Sequence, residues 1–248
     1  MIIAAAAALI GASVQSATGF GFALILAPAL FAVLDPVEAV ATLLLLGLAL
    51  NLLVLCEHGR PEHVEFGRLI PMLVAAVPGL GAGVVLLVLL SKEALQVGVG
   101  VAVILAGAWQ LRRRSAGDGA HRRPAVHPAV GWAAGFASGA LTTSISVSGP
   151  PIVLWLEAKG IPPREFRASL ALSFFALNLA GGLVLLAAEG SGGVEAGVVA
   201  PLLGLVLVGY ALGAFAFRRL DHERFFAIAL TLVVGTGAAS LAAGLGIL

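Results

Sequence analysis

Pro36-Val37-Glu38-Ala39-Val40-Ala41-Thr42-Leu43, continuing to Asn51-Leu52, returns later in the chain as Pro163-Arg164-Glu165-Phe166-Arg167-Ala168-Ser169-Leu170, continuing to Asn178-Leu179. Roughly half of the aligned positions are identical. A second block follows in the same order, with Val64-Glu65 through Pro71 matching Val194-Glu195 through Pro201. Beyond it Gly79, Gly83, Glu93 and Gly107 meet Gly209, Gly213, Glu223 and Gly237. The chain is therefore a unit of about 120 residues present twice. It divides into a first repeat at 1–111, a basic linker at 112–127 and a second repeat at 128–248. In a strongly apolar chain, such duplication predicts a secondary transporter whose site lies between the repeats near the bilayer midplane.

Composition identifies the solvent. Of 248 residues 60% are hydrophobic and only 11% charged, too few charges to cover a water-exposed surface. Several apolar runs reach the roughly 20 residues that cross about 30 Å of hydrocarbon, so the chain reads as an all-α integral membrane protein. Cys56 is the single cysteine, which excludes an internal disulfide and any thiol-built metal or redox centre. A net charge of +1 gives no reason to expect a nucleic-acid partner. Met1 to Ser16 is apolar but lacks a basic leader, and is expected to be retained structure rather than a cleaved signal.

The apolar segments run near 2–16, 18–34, 37–56, 66–90 and 93–111, then 129–141, 145–157, 164–188, 196–217 and 224–247. The first two of each half are short. A helix of about 13 to 16 residues reaches only about 20 to 24 Å, so each pair is read as a re-entrant hairpin of half-helices followed by three full spans. Arg112-Arg113-Arg114 to Arg122-Arg123 is assigned to the cytoplasm, and Arg60, Arg68, Lys159, Arg164, Arg167, Arg218, Arg219 and Arg224 then fall on the same side, with only Lys92 outside. The loop Glu189-Gly190-Ser191-Gly192-Gly193, which has no base, falls outside. Both termini lie outside on this count, and three spans per half make the repeats inverted. Asp35-Pro36-Val37-Glu38 reads as a helix start with a capping carboxylate, and Pro163 with Glu165 repeats part of it. Glu38 and Glu165 are accordingly read as caps, with a coupling-proton role as the competing reading.

Polar residues within the apolar segments gather at the two hairpin tips. Ser13, Gln15, Ser16 and Thr18 lead into Gly19-Phe20-Gly21-Phe22, and Ser138-Gly139 leads into Thr142-Thr143-Ser144-Ile145-Ser146-Val147-Ser148-Gly149. Neither run contains a charge. Glycine lets the backbone turn and approach a ligand, and amides opening each returning half-helix carry partial positive charge. Hydroxyls and amides add donors without the desolvation cost of a buried cation. The expected ligand is a small anion, held by backbone amides near Gly19, Gly21 and Ser148, beside Gly149, and by Gln15, Thr18, Thr142, Thr143, Ser144 and Ser146. Asn51 and Asn178, equivalent and mid-span, are read equally as supports for the tips or as substrate contacts. Ser13, Ser138, Ser173 and Ser240 are read as packing residues. His58, His63, His121, His127 and His222 sit in loops or at their edges, leaving no intramembrane base for a serine nucleophile and no expected metal site. No enzyme activity and no cofactor is expected. Gly19-Phe20-Gly21 lacks the strand and lysine of a nucleotide loop.

Gln15-Ser16-Ala17-Thr18-Gly19-Phe20-Gly21-Phe22 with Ala27-Pro28-Ala29-Leu30 resembles the sulfite exporter family called TauE/SafE. So does Ser148-Gly149-Pro150-Pro151-Ile152-Val153-Leu154-Trp155 with Phe166-Arg167-Ala168-Ser169-Leu170, and the resemblance extends over essentially the whole chain. It implies transport of small sulfur-containing anions, such as sulfite, sulfonates or thiosulfate, across a bacterial cytoplasmic membrane. An anion channel and a transporter for another small organic solute are the alternatives. The family usually has a glycine pair before the prolines where this chain has Ser148-Gly149. The partners implied are the small anion and the lipid bilayer, with the coupling ion, proton or sodium, and the oligomeric state left open.

Overall fold

A computed structural model describes residues 1–58, 64, 66–115, 127–159, 163–190, 194–219 and 222–247. Among them the regular structure is helical throughout: α1 (Ile2–Thr18), α2 (Phe22–Val33), α3 (Pro36–His58), α4 (Phe66–Leu89), α5 (Lys92–Ser115), α6 (Pro128–Ile145), α7 (Gly149–Ala158), α8 (Pro163–Glu189), α9 (Ala196–Arg219) and α10 (His222–Gly244). The centre of the linker, the tip of the 189–193 loop, Arg60 and His63 lie outside the described residues, as do the side chains of Arg68, Arg164, Arg218, Arg219 and Arg224. Helices α3, α4, α5, α8 and α9 are long and apolar enough to cross a membrane by length and composition. Pro36 opens α3 with Glu38 in its first turn, and Pro163 opens α8 with Glu165 in its first turn, where a carboxylate meets the positive end of the helix.

The two hairpins are unequal. The returning arms α2 and α7 have 12 and 10 residues, but α1 and α6 have 17 and 18. At 1.5 Å per residue the first arms reach about 26 Å, more than the sequence segments suggest. The extension has a local cause. Thr18 Oγ1 donates to the Val14 carbonyl (2.9 Å), Thr142 Oγ1 to Ser138 (2.6 Å) and Ser144 Oγ to Ala140 (2.6 Å), each four residues back in its own helix. A hydroxyl bonded this way costs the helix little and hides its polarity from hydrocarbon, so the helix continues through a run that reads as a loop.

The halves interlock through exchanged pairs. The first hairpin helix of one half packs along the fourth helix of the other, α1 on α9 and α6 on α4, while α3 packs on α8 and α5 on α10. Glycines make the exchange close enough. A Cβ on Gly79 would run into the Phe136 carbonyl and one on Gly83 into the Ala140 carbonyl; in the other half Gly209 faces the Leu9 carbonyl and Gly213 the Ser13 carbonyl. Gly135 and Gly139 of α6 press in turn on the Met72 and Ala76 carbonyls of α4. Without a hydrophobic force between helices in lipid, such backbone proximity and its dispersion contacts supply much of the association. Ser13 and Ser240 lie in the same kind of seam, donating across helices to the Gly209 and Gln96 carbonyls at 2.9 Å each, and Ser173 bonds back to Ser169.

Two apolar clusters surround the hairpins. One joins α1, α2, α3, α5 and α9 around Phe22, Phe31 and Leu46; the other joins α4, α7 and α8 around Met72, Leu156 and Phe174. Ile70, Val74, Val77, Val85 and Leu89 on α4 and Leu207, Val208 and Leu212 on α9 point outward, the arrangement lipid tails require.

Gly83→Ala should destabilise the detergent-purified protein by about 1–3 kcal/mol, because backbone in both helices must shift to admit the methyl group. Gly81→Ala, with open space at its Cβ, should melt like the parent. Equal thermal midpoints for the two variants would show that the seam is looser than described.

Candidate functional site

The chain reverses at matching places in the two halves. Gly19 ends α1 in the left-handed region (φ 89°) and Gly21 precedes α2 at φ 118°. At the equivalent positions Ser146 ends α6 at φ 59° and Ser148 precedes α7. Ser146 is the only described residue other than glycine at positive φ. A side chain there costs roughly 1–2 kcal/mol, so the second tip holds strain that the first avoids with glycine.

Between the tips lies a small, partly open cavity. Its lining comes from both halves: Gln15 on α1, residues 20–24 opening α2, Leu43, Gly47 and Asn51 on α3, residues 146–149 opening α7, and Phe174 and Asn178 on α8. The expected residues Gln15, Gly21, Asn51, Ser146, Ser148, Gly149 and Asn178 are thereby brought together. Thr18, Gly19, Thr142, Thr143 and Ser144 lie outside this lining. Thr142 and Thr143 are fully buried. Thr143 Oγ1 donates to the Leu80 carbonyl of α4 at 2.6 Å, joining the two halves, and the single Thr18 hydroxyl proton is shared between the Val14 carbonyl and the Phe20 carbonyl 2.6 Å away, bracing the first turn.

Gln15 holds the first tip. Its Oε1 accepts from the Phe22 amide (3.2 Å), which opens α2 and has no partner within that helix, and its Nε2 donates to Asn51 Oδ1 (2.9 Å). Asn51 Nδ2 in turn donates to the Gly47 carbonyl at 2.7 Å. The donors and acceptors of this chain fix both amide orientations. Asn178, the duplicate of Asn51, behaves differently. Its Nδ2 lies 2.6 Å from where a Cβ on Gly47 would stand, so glycine makes room for it. Among the described residues no group bonds its side chain, and the same holds for the hydroxyls of Ser146 and Ser148. The cavity thus presents one amide side chain, two hydroxyls and, in the first turn of α2, the backbone of Ala23 and Leu24. No acid or base is among its lining residues.

A charge that the tip sequences do not contain reaches the first tip from elsewhere. Arg167, on the first turns of α8, donates through Nη2 to the Ser16 carbonyl at 2.8 Å. In the repeat its partner position is Val40, and that mismatch inside a matching block was the available signal. Phe20, Phe22 and Phe174, which wall the cavity, carried no polar signal at all.

A bundle of long apolar helices, interrupted by two hairpins whose turns line a shared cavity, defines a multi-pass membrane protein. The family model described as sulfite exporter TauE/SafE matches residues 3–240, and the chain belongs to that family. No curated protein and no solved structure matches it.

Gln15→Leu would leave the Phe22 amide and Asn51 Oδ1 unpaired in a buried setting, at about 1–3 kcal/mol each. Its unfolding midpoint should fall by several degrees, whereas Asn178→Leu, which breaks no bond within the protein, should stay close to wild type. Thermal scans showing both variants equally unstable would contradict the division of labour between the two amide positions.

Proposed function

We propose that the protein is a secondary transporter for a small sulfur-containing anion, such as sulfite, a sulfonate or thiosulfate, working by alternating access in the cytoplasmic membrane of a bacterium. The observation that carries this reading is the cavity shared by the two hairpin turns, whose lining includes donors that no group of the described structure bonds and no carboxylate. An oxyanion entering it can accept hydrogen bonds from Asn178 Nδ2, from the Ser146 and Ser148 hydroxyls and from the Ala23 and Leu24 amides of α2. The positive end of the α2 dipole adds to these. Phe20, Phe22 and Phe174 exclude water around them, which strengthens each bond. Gln15 and Asn51 contribute by holding the tip in place. Thr18, Gly19, Thr142, Thr143 and Ser144 act on the substrate through the shape of the turns that they stabilise.

Alternating access follows from inverted repeats. Three crossings separate each hairpin from its duplicate, so the two tips enter from opposite faces and meet at one site. The exchanged pairs α1 with α9 and α6 with α4 are suited to rocking, because glycine seams present smooth backbone surfaces. Each seam couples a hairpin of one half to a span of the other.

In proteoliposomes, Asn178→Leu should weaken transport of the sulfur anion by roughly 5- to 150-fold in apparent affinity, the equivalent of about 1–3 kcal/mol for one lost hydrogen bond to a charge. A panel of sulfite, thiosulfate, ethanesulfonate and neutral amino acids, assayed by uptake of labelled compound, tests the substrate class. Saturable uptake of the amino acids alone would replace the reading, and non-saturating anion current in a planar bilayer would make the protein a channel.

Ser115→Cys and Gly190→Cys, made singly after removal of the exposed Cys56, should be labelled from opposite faces of intact cells. One hairpin and one full crossing separate the two positions. Labelling from the same face would rule out the inverted arrangement.

A further inference from the structure

Beside the first hairpin turn, the end of α3 and the beginning of α8 bring together Arg167, Glu57 and, from α9, Tyr210. None of the three belongs to the cavity lining. The Arg167 guanidinium binds the Ser16 carbonyl in the last turn of α1, and its Cγ and Nε lie 3.5 and 3.8 Å from where a side chain on Gly19 would begin. It therefore covers the left-handed turn itself. Glu57 stands within electrostatic reach of this guanidinium and accepts a short hydrogen bond from the Tyr210 hydroxyl. That hydroxyl also lies 3.4 Å from the Leu53 carbonyl, one turn back on α3. Arg167 is half-buried and Glu57 exposed, so the carboxylate is on the outer side of the cation.

The placement answers an electrostatic problem. The last carbonyls of α1 end at the same turn where α2 begins, and their partial negative charge opposes an anion there. A fixed cation on the Ser16 carbonyl reverses that field. The second tip has no equivalent, because the first repeat carries Val40 at the matching position. Building on the anion-transport reading, we propose that Arg167 is the electrostatic entry point for a small anion, which reaches the cavity past the ends of α3 and α8 by displacing Glu57 from the guanidinium. Tyr210 keeps the displaced carboxylate tethered nearby, ready to return when the anion has passed.

The test measures the thermal midpoint of the detergent-purified protein against rising sulfite, thiosulfate, ethanesulfonate or phosphate, in wild type and in Arg167→Gln, Arg167→Lys and Glu57→Gln. Glutamine retains a donor for the Ser16 carbonyl but no charge, so a purely structural role for Arg167 would survive it. Lysine retains the charge. The apparent Kd of the stabilising anion should rise roughly tenfold or more in Arg167→Gln, the loss of one charge-assisted hydrogen bond. It should recover partly in Arg167→Lys and fall below wild type in Glu57→Gln, where the competing carboxylate is gone. The ionic-strength dependence of binding should flatten in Arg167→Gln. Wild-type affinity in Arg167→Gln, or unchanged affinity in Glu57→Gln, overturns the proposal and leaves the substrate reading intact. Stabilisation by phosphate alone, with the same order of variants, removes the sulfur-anion reading and supports the entry role. A wild-type protein stabilised by none of the four anions overturns both.

Discussion

A helix that ends inside hydrocarbon exposes amides and carbonyls where no water can meet them, and each unmet group costs several kcal/mol. This chain ends a helix among buried residues at Thr18 and again at Ile145, and much of the surrounding structure closes those ends. Left-handed caps at Gly19 and Ser146 fold the chain back. Gln15 supplies the acceptor that the Phe22 amide requires. The hydroxyls of Thr142, Thr143 and Ser144 bond carbonyls of helix backbone, which lets α6 carry its polar run to the turn. What remains uncommitted at the turns is a small set of donors, and these are what the cavity offers.

Closing the breaks with protein requires the two halves to come very near one another, and glycine decides how near. Gly79 and Gly83 let α4 meet α6 backbone to backbone, and Gly209 and Gly213 do the same for α9 and α1. Because each hairpin rests on a span from the other half, a single repeat could neither cover its own turn nor form the cavity. The duplication is a physical necessity for the site.

Duplication also left room for divergence. Asn51 is fully bonded to its surroundings, whereas Asn178 has no partner in the described structure and faces the cavity. Gln15 bridges α1, α2 and α3, while its counterpart Thr142 bonds only its own helix. Arg167 stands where the first half has Val40. In the asparagine pair one copy is thus scaffold and the other is available to the cavity.

The sequence by itself determined the solvent, the duplication, the all-helical class and the family, because composition and repeated motifs are properties of the chain order. It also placed the polar residues at two tips, and seven of the twelve residues expected at the site line one cavity. Thr18, Gly19, Thr142, Thr143 and Ser144 lie outside that lining, the four hydroxyls bonding backbone carbonyls, and a sequence does not reveal whether a hydroxyl meets a carbonyl of its own helix or of another. The tertiary structure alone decided those partners. It also decided the aromatic wall of Phe20, Phe22 and Phe174 and the arrival of Arg167 at a tip about 150 residues away along the chain. These depend on which helices touch, and in a bilayer that is set by backbone approach and hydrogen bonding across helices rather than by any pattern within one segment.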